Sequence, residues 1–216
     1  MRTCVEDAKH PFKDESLKPG LCIMGNHVEA QLESPVDFNP KARAAIEWTK
    51  KEIGNCEREQ KFAYWDFLGE LKGTQCDDVA QFAHGSPRRP IHEYMVPRDS
   101  IDTEKMQANF AVMQRDVCFI GHSHVPAIYY DDGRLFRPSG TEGPYELATP
   151  TSERAIVNVG SVGQPRDGDT RLSYAIFDGR CITFVRLEYE NDVAAERIRA
   201  VPELPAFLAD RLGVGR

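Results

Sequence analysis

Short apolar runs that end at loop residues alternate with amphipathic segments along the first half of the chain. An apolar run of four or five residues bounded by turn residues is typical of a buried strand, and apolar positions three and four apart are typical of a helix. We predict strands at Leu21–Met24, Val79–Ala83, Val117–Ile120 and Ala155–Val159. We predict helices at about Pro40–Ile53, Glu57–Leu68 and Thr103–Gln114.

The segment Pro40–Ile53 has the clearest helix signals. Asn39 can cap its N-terminus, and Pro40 suits the first helical position because the missing N–H has no intrahelical partner there. Ile46 and Ile53 fall on one face, and Gly54 is a stop signal.

Hairpins dominate the second half of the chain. Paired apolar runs flank Asp132-Gly133 and Gly179-Arg180, which are turn sequences. The strands expected there are Val125–Tyr130, Leu135–Arg137, Leu172–Asp178 and Cys181–Glu188, followed by short helices at Val193–Ala200 and Leu204–Leu212. Interleaved helices and strands followed by hairpins predict an α+β fold, with a mixed sheet or sandwich flanked by helices.

Four of the six histidines lie beside glycine or in a tight loop after a predicted strand: His27, His84, His122 and His124. Loops at strand ends are where such scaffolds build their sites. In an extended segment, His122 and His124 would point to opposite sides, an arrangement that suits two adjacent metal ions.

A lone histidine after a strand is usually a hydrogen-bonded loop residue, and we interpret His10 and His92 as surface residues. Four histidines in one such context are harder to obtain by chance. Asn26 precedes His27 and offers an amide oxygen. Imidazole nitrogen with amide oxygen favours Mn, Fe, Zn or Co over Ca or Mg. The sequence therefore predicts a divalent metal site.

Other candidate motifs are weaker. The loop Gly160–Gly163 is either a phosphate-binding loop or a tight turn, because its spacing matches no nucleotide-binding fingerprint. Arg166 follows it and is a tentative substrate contact through its planar guanidinium, with a solvated loop as the alternative. Ser161 has no histidine or aspartate near it in sequence, so a serine nucleophile is not indicated.

Composition narrows the function classes further. The net charge of −7 argues against non-specific nucleic-acid binding, but small phosphorylated, nucleotide-like substrates stay open as partners. Six widely spaced cysteines are expected to be free thiols in a reducing compartment. With no apolar leader and no run of about 18 apolar residues, we expect a cytoplasmic protein without a membrane partner. Homo-oligomerisation is left open.

Several motifs together resemble the calcineurin-like metallophosphoesterases. Gly25-Asn26-His27 is similar to that family's Gly-Asn-His motif, His84-Gly85 to its isolated His-Gly, and Gly121-His122-Ser123-His124 to its final Gly-His-Thr/Ser-His. The run Asn158–Asp169 resembles a segment of bacterial members described as predicted phosphodiesterases. The order and spacing agree from about residue 21 to residue 212.

The resemblance implies a four-layer β-sandwich of two mixed sheets flanked by helices, assigned to residues 21–216 after a poorly defined segment 1–20. It implies hydrolysis of phosphodiester or phosphomonoester bonds by a metal-activated hydroxide, with two divalent ions about 3.5 Å apart. Asn26, His84 and His122 would bind one ion and His124 the other. His27 would stabilise the transition state or protonate the leaving group.

Two departures from the family pattern shape our expectations. Asp-x-His and Gly-Asp, which precede Gly-Asn-His in the family, have no counterpart before residue 25, so we expect the domain to be incomplete at its N-terminal side, with strands missing and apolar surface exposed. Val28 replaces an acid that orients the catalytic histidine. We therefore expect this chain alone to hold one metal weakly and to be a poor hydrolase.

Three interpretations remain at this point. The protein is a metal-dependent phosphoesterase, or a non-catalytic relative with a partial metal site for binding, or a truncated reading of a longer chain. Metal content and a diesterase assay separate the first two.

Overall fold

The computed structural model describes residues 20–36, 38–148 and 152–216. It has an α+β fold in which two β-sheets are flanked by helices, as predicted. The strands are β1 (Thr74–Cys76), β2 (Gln81–Ala83), β3 (Val117–Ile120), β4 (Ala127–Tyr130), β5 (Leu135–Phe136), β6 (Glu142–Glu146), β7 (Ala155–Asn158), β8 (Leu172–Phe177) and β9 (Cys181–Leu187). The α-helices are α1 (Asn26–Leu32), α2 (Pro40–Gly54), α3 (Arg58–Glu70), α4 (Thr103–Ala111), α5 (Asn191–Arg199) and α6 (Phe207–Asp210), with 3₁₀ turns at Pro97–Ile101 and Arg211–Val214.

Three parallel neighbours organise the larger sheet. Its strand order is β1-β2-β3-β7-β4-β5, and β2, β3 and β7 run parallel while the other pairs are antiparallel. The described strands of the smaller sheet are antiparallel in the order β6-β9-β8. Because parallel strands end at one edge of a sheet, the loops after β2, β3 and β7 meet there.

The larger sheet is buried on both faces. Successive residues of β3 and β4 alternate between two apolar clusters: Cys118 and Tyr129 pack toward α4, whereas Val117 and Ile128 pack toward Phe184 of the smaller sheet. Burial on both faces explains why these strands are continuously apolar rather than alternating. The site loops therefore rest on a rigid double layer.

The predicted helix at Pro40–Ile53 is present as α2. The side-chain oxygen of Asn39 accepts hydrogen bonds from the backbone N–H groups of Lys41 and Ala42, both at 3.1 Å. Ile46 and Ile53 are buried, and the helix ends at Gly54.

Some element predictions need correction. Leu21–Met24 is not a strand, since only Ile23 forms an isolated bridge, to Lys72, and Leu21 is 50% exposed. Strand β6 was missed because most of its residues are polar or exposed, which leaves no apolar alternation to detect.

A wide opening of about 720 Å³ separates the two sheets along one side, and apolar side chains line most of it. Phe82 and Phe119 of the larger sheet stack with ring centroids 5.7 Å apart, and Phe177 of the smaller sheet lies edge-on to Phe119 at 5.3 Å. The predicted segment 1–20 falls outside the described residues except for Gly20.

The five cysteines in the described ranges, Cys22, Cys56, Cys76, Cys118 and Cys181, are unpaired. None of the helices in those ranges combines the length and apolar character that a membrane crossing requires.

Candidate active site

The ends of β2, β3 and β7 bring distant parts of the chain into contact. His84 follows β2 directly, and its backbone oxygen accepts a hydrogen bond from Gly121 N at 3.0 Å. Val159 N donates to the oxygen of Ile120 at 3.1 Å after β7. These two backbone hydrogen bonds hold the loops that carry His84, His122 and His124 next to one another.

Three side chains converge at this edge. Nε2 of His84 lies 3.0 Å from Oδ1 of Asn26 and 2.9 Å from Nδ1 of His122. The rings of His84 and His122 are 4.6 Å apart between centroids. Residues separated by 58 and 38 positions in the sequence thus present three potential donor atoms to one small volume.

Gly25 allows the ring of His84 to reach this position. A Cβ atom at Gly25 would lie 3.1 Å from Nδ1 and 3.2 Å from Cε1 of His84, closer than ordinary packing permits. The backbone of Gly25 then enters α1, so Asn26 stands in the first turn of a helix rather than in the loop we predicted. His27 is likewise helical, and the loop prediction for these residues is wrong.

The loop after His84 is held by Glu93. Its carboxylate accepts hydrogen bonds from Ser86 Oγ at 2.7 Å, from Asn109 Nδ2 at 3.0 Å and from the guanidinium of Arg88. Burial opposes ionisation of Glu93, but these donors outweigh it and lower its pKa to about 2. Arg88 is therefore a structural partner of Glu93.

His122 and His124 both have left-handed backbone conformations, with φ angles of 61° and 59°. They are the only non-glycine residues with positive φ in the described part of the chain. Such angles are uncommon outside glycine and cluster where surrounding structure enforces them for function. The ring of Tyr94 stacks on His122 at 3.7 Å between centroids.

His124 lies beside the three-atom cluster without a recorded hydrogen bond to it. Its Nδ1 donates to the carbonyl oxygen of Gln164 at 2.6 Å, which leaves Nε2 as the lone-pair nitrogen. The charge of a protonated His124 would lower the pKa of His84 further.

His27 faces a different neighbourhood from the cluster. Its ring meets Phe38 edge-on at 5.2 Å, and burial together with the charge of Arg166 lowers its pKa. Val28, where we noted a missing acid, packs against the apolar cluster around Ile53 and anchors α1. Glu29 binds His92 at 2.7 Å and so does not orient His27.

The histidines of the site are held neutral near pH 7. Burial, reinforced by the neighbouring histidines, lowers the pKa of His84 to about 3. Burial also lowers the pKa values of His122 and His124 to about 4, with Arg166 contributing to both. Neutral imidazoles keep a lone pair available for a cation.

No carboxylate joins the cluster in the described ranges, where no three His, Cys, Asp or Glu side chains are arranged for a metal. Asp167 binds the buried guanidinium of Arg186, and Asp169 binds Arg171 at 2.7 Å. Both carboxylates are thus paired with arginines. The donors at the edge are therefore two imidazoles and an amide, all uncharged.

The chemistry of these donors fits one divalent ion. Among the described residues, Nε2 of His122 is buried and makes no hydrogen bond of normal geometry. The backbone of His92 raises the pKa of this ring, but burial lowers it by more. Two ligands at right angles and about 2.1 Å from a metal lie about 3.0 Å apart. The observed separations of 2.9 and 3.0 Å match that spacing.

Arg166 lies next to the site, and its backbone N–H donates to the oxygen of His124 at 3.1 Å. The loop Gly160–Gly163 is a turn, because Ser161 Oγ accepts hydrogen bonds from the backbone of Gly163 and Gln164. These two N–H groups are used within the turn, which favours the turn interpretation over a phosphate-binding loop.

Sequence reasoning missed three neighbours of the site: Tyr94, Asn158 as a positioning residue, and Arg211. Asn158 stands at the end of β7, within the run that carries the family resemblance, so that resemblance could have identified it. Tyr94 and Arg211 are brought in by loops and by the C-terminal turn, and no motif marks them.

No protein-family model matches the chain. The chain is 35% identical over 206 residues to an uncharacterized protein of Methanocaldococcus jannaschii, covering 91% of this chain and 76% of that protein. It resembles the crystal structure of a metallophosphoesterase from Sphaerobacter thermophilus with a TM-score of 0.77 and 33% identity, covering 100% of this chain and 82% of the other. A hypothetical protein from Pyrococcus horikoshii shares the fold, with a TM-score of 0.72, 17% identity and coverage of 98% and 78%.

Proposed function

The chain belongs to the calcineurin-like metallophosphoesterase family, and from that premise we propose that it hydrolyses phosphodiester bonds of small substrates. The likeness to a metallophosphoesterase supports a metal-dependent phosphoesterase in general. The preference for diesters over monoesters, the ligand set and a cytoplasmic place of action are our proposals.

The observation that carries the proposal is the contact of His84 with both Asn26 and His122, each at hydrogen-bond distance. We expect these three side chains to hold a divalent cation, with His124 facing a second cation as in two-metal members of the family. Such a cation supplies Lewis acidity and lowers the pKa of water, which makes a nucleophile available near neutral pH.

The remaining residues act on the substrate. His27 lines the cavity next to the cluster, where its ring can donate a hydrogen bond to a phosphoryl oxygen or to the leaving-group oxygen. Arg166 lines the same cavity, and its planar guanidinium suits phosphate oxygens. Together they would offset negative charge that grows in the transition state.

Two spaces next to the site favour a diester. A polar cleft of about 330 Å³ and a second cavity of about 550 Å³ share Asn26, Phe38, Asn39 and Tyr94 in their linings. A phosphorus atom at the cluster could therefore have one ester group in each space, whereas a monoester would fill only one of them.

The uncharged donor set favours one alternative, a non-catalytic protein that binds metal or phosphate. Three neutral ligands do not offset a charge of +2, so metal affinity is expected to be weak and turnover low. This alternative predicts metal binding without hydrolysis.

The test uses the full chain, stripped with a chelator and then supplied with Mn²⁺. Bound metal is measured by mass spectrometry, and hydrolysis is measured with bis(p-nitrophenyl) phosphate and p-nitrophenyl phosphate. We expect metal-dependent hydrolysis of the diester that exceeds that of the monoester. His84→Ala should remove both the metal and the activity, because His84 is the central member of the cluster.

His92→Ala is the matched control, since His92 is an exposed histidine that binds Glu29. It should retain the metal, which is the property that this control compares. Metal binding without any turnover would favour the non-catalytic alternative. Turnover that survives chelation or the His84→Ala substitution would contradict the proposal.

A further inference from the structure

A cavity of about 550 Å³ opens beside the candidate metal cluster, and its lining is unlike that of a simple phosphate site. Asn26, His27 and Tyr94 form its inner end. The cavity continues outward between α2 and the C-terminal helices. A substrate bound at the cluster would therefore extend an ester group into this space.

The outer walls are apolar and aromatic. Ala42, Ala45 and Trp48 contribute the α2 wall, while Leu204 and Phe207 lie on the opposite wall. Flat aromatic walls with small residues between them accept a planar ring, since ring stacking and burial of apolar area both favour it. Phe207 is 45% exposed, so a bound ring would also cover apolar surface now facing solvent.

Two contacts tie the walls together. Lys51 Nζ on α2 binds Oε1 of Glu203 at 2.9 Å, and Lys41 Nζ lies 3.7 Å from the ring centroid of Phe207. The walls therefore have a defined spacing rather than a chance opening between loose helices.

Two arginines give the cavity a positive side. Within the described residues, neither Arg166 nor Arg211 has an aspartate or glutamate at ion-pair distance: Arg166 binds the side-chain oxygen of Gln164, and Arg211 binds the main-chain oxygen of Arg216. By contrast, Arg171 and Arg199 each bind an aspartate. Burial, with a contribution from the charge of Arg166, lowers the pKa of Arg211.

Both guanidinium groups line the cavity without an aspartate or glutamate to neutralise them. An anionic ligand would offset their charge, and phosphate oxygens match the guanidinium geometry. The aromatic wall and the cationic pair thus border one cavity, and a molecule with a flat ring and a phosphate would contact both.

Resting on the proposed function, we propose that this cavity selects phosphoesters whose ester group is a planar aromatic ring, with Trp48 and Phe207 against the ring and Arg166 and Arg211 against the phosphate. The recognised chemistry is common to aryl esters and to nucleobase-bearing nucleotides. The experiment below separates these two sources.

The test measures equilibrium binding to the full chain by titration calorimetry in the presence of Mn²⁺. Phenylphosphonate is compared with methylphosphonate, and adenosine 5′-monophosphate with ribose 5-phosphate. We expect phenylphosphonate to bind at least about tenfold more tightly than methylphosphonate, because stacking of its ring adds binding free energy of that size. A preference only in the nucleotide pair would identify nucleobases as the rings that fit, and a preference only in the phosphonate pair would identify simple aryl groups.

Variants assign the preference to the cavity. Trp48→Ala should reduce the ratio of the two affinities to near one while leaving methylphosphonate binding unchanged. If Trp48→Ala does not fold, Phe207→Ala tests the opposite wall of the same cavity. Phe62→Ala is the control for Phe207→Ala, because Phe62 is similarly exposed but lies on α3, away from the cavity. Arg211→Gln should weaken both phosphonates by the same factor.

Equal affinity within both pairs, no binding of any probe, or a preference that survives both aromatic substitutions would overturn the inference. Its failure is separable from that of the proposed function. Hydrolysis without ring selectivity would contradict the cavity assignment alone, whereas ring selectivity without hydrolysis would contradict the proposed activity alone.

Discussion

Nδ2 of Asn158 donates a hydrogen bond of 2.6 Å to the backbone oxygen of Gly121, at the start of the loop that carries His122 and His124. The same amide donates to Ser123 Oγ at 2.9 Å, and its oxygen accepts from Gly160 N at 3.0 Å. Asn158 is fully buried. One side chain at the end of β7 therefore holds the strained histidine loop after β3.

Replacing Asn158 should loosen this loop without touching any proposed ligand. Asn158→Ala leaves buried hydrogen-bonding groups unpaired, at about 1–3 kcal/mol each. We expect a lower free energy of unfolding in urea and a metal affinity reduced about 10- to 100-fold, as for other residues that support ligands. Asn158→Asp replaces the donor with a charged acceptor oxygen next to the Gly121 carbonyl oxygen, and should lose metal affinity as well. Unchanged affinity in both variants would show that the loop is held elsewhere.

Gly25→Ala tests the close approach of the His84 ring. The φ angle of Gly25 is −101°, which alanine adopts readily, so the added methyl group acts through its contact with His84 alone. We expect the ring to shift by a few tenths of an ångström and metal affinity to fall about tenfold.

Gly69→Ala is the control for Gly25→Ala, because nothing lies within 4 Å of a Cβ at that helical position. It should raise stability by up to about 1 kcal/mol and leave metal binding unchanged. Metal titrations of the two variants side by side provide the measurement. Equal affinities would argue against the steric role of Gly25.

The Glu93 network predicts a specific acid sensitivity. The folded-state pKa of Glu93 is about 2, below its ordinary value of 4.5, so its stabilising effect is fully present above pH 4.5 and is lost as the pH falls toward 2. Glu93→Gln should therefore lower the free energy of unfolding at pH 7 by about 1–3 kcal/mol, the range for hydrogen bonds to a charged group.

The difference between the two proteins should shrink as the pH is lowered from 5 to 2, which urea unfolding series can follow. Subtracting the variant's free energy of unfolding from that of the native protein cancels the contributions of the other titrating groups. A difference that stays constant over that range would mean that the Glu93 carboxylate does not carry the effect.

The role of His27 can be read from its dependence on the leaving group. If His27 protonates the leaving oxygen, His27→Asn should reduce kcat about 10²- to 10⁴-fold for a diester with an alkoxide leaving group. The loss should be much smaller for p-nitrophenolate, which leaves without a proton. Equal losses would assign His27 to stabilising phosphoryl charge instead, and no loss with either substrate would remove it from catalysis.

The sequence determined much of this protein by local rules. The cap at Asn39, the proline at position 40 and the apolar face through Ile46 set α2, because these signals act within a few residues. The apolar runs of β3 and β7 likewise marked strands buried on both faces. The ordered histidine and glycine motifs pointed to a metal site and to the family.

Tertiary structure decided what depends on neighbours distant in the chain. Leu21–Met24 had a strand-like pattern but forms only one isolated β-bridge, between Ile23 and Lys72, so no ladder forms. The contact of His84 with Asn26 and His122 depends on parallel pairing of β2, β3 and β7, and no local pattern reports which strands pair. Likewise, Arg211 reaches the cavity only because the C-terminal helices fold back across α2. The sequence determines which side-chain groups are available. The distances that bring these groups together in one site arise from pairing and packing between segments far apart in the chain.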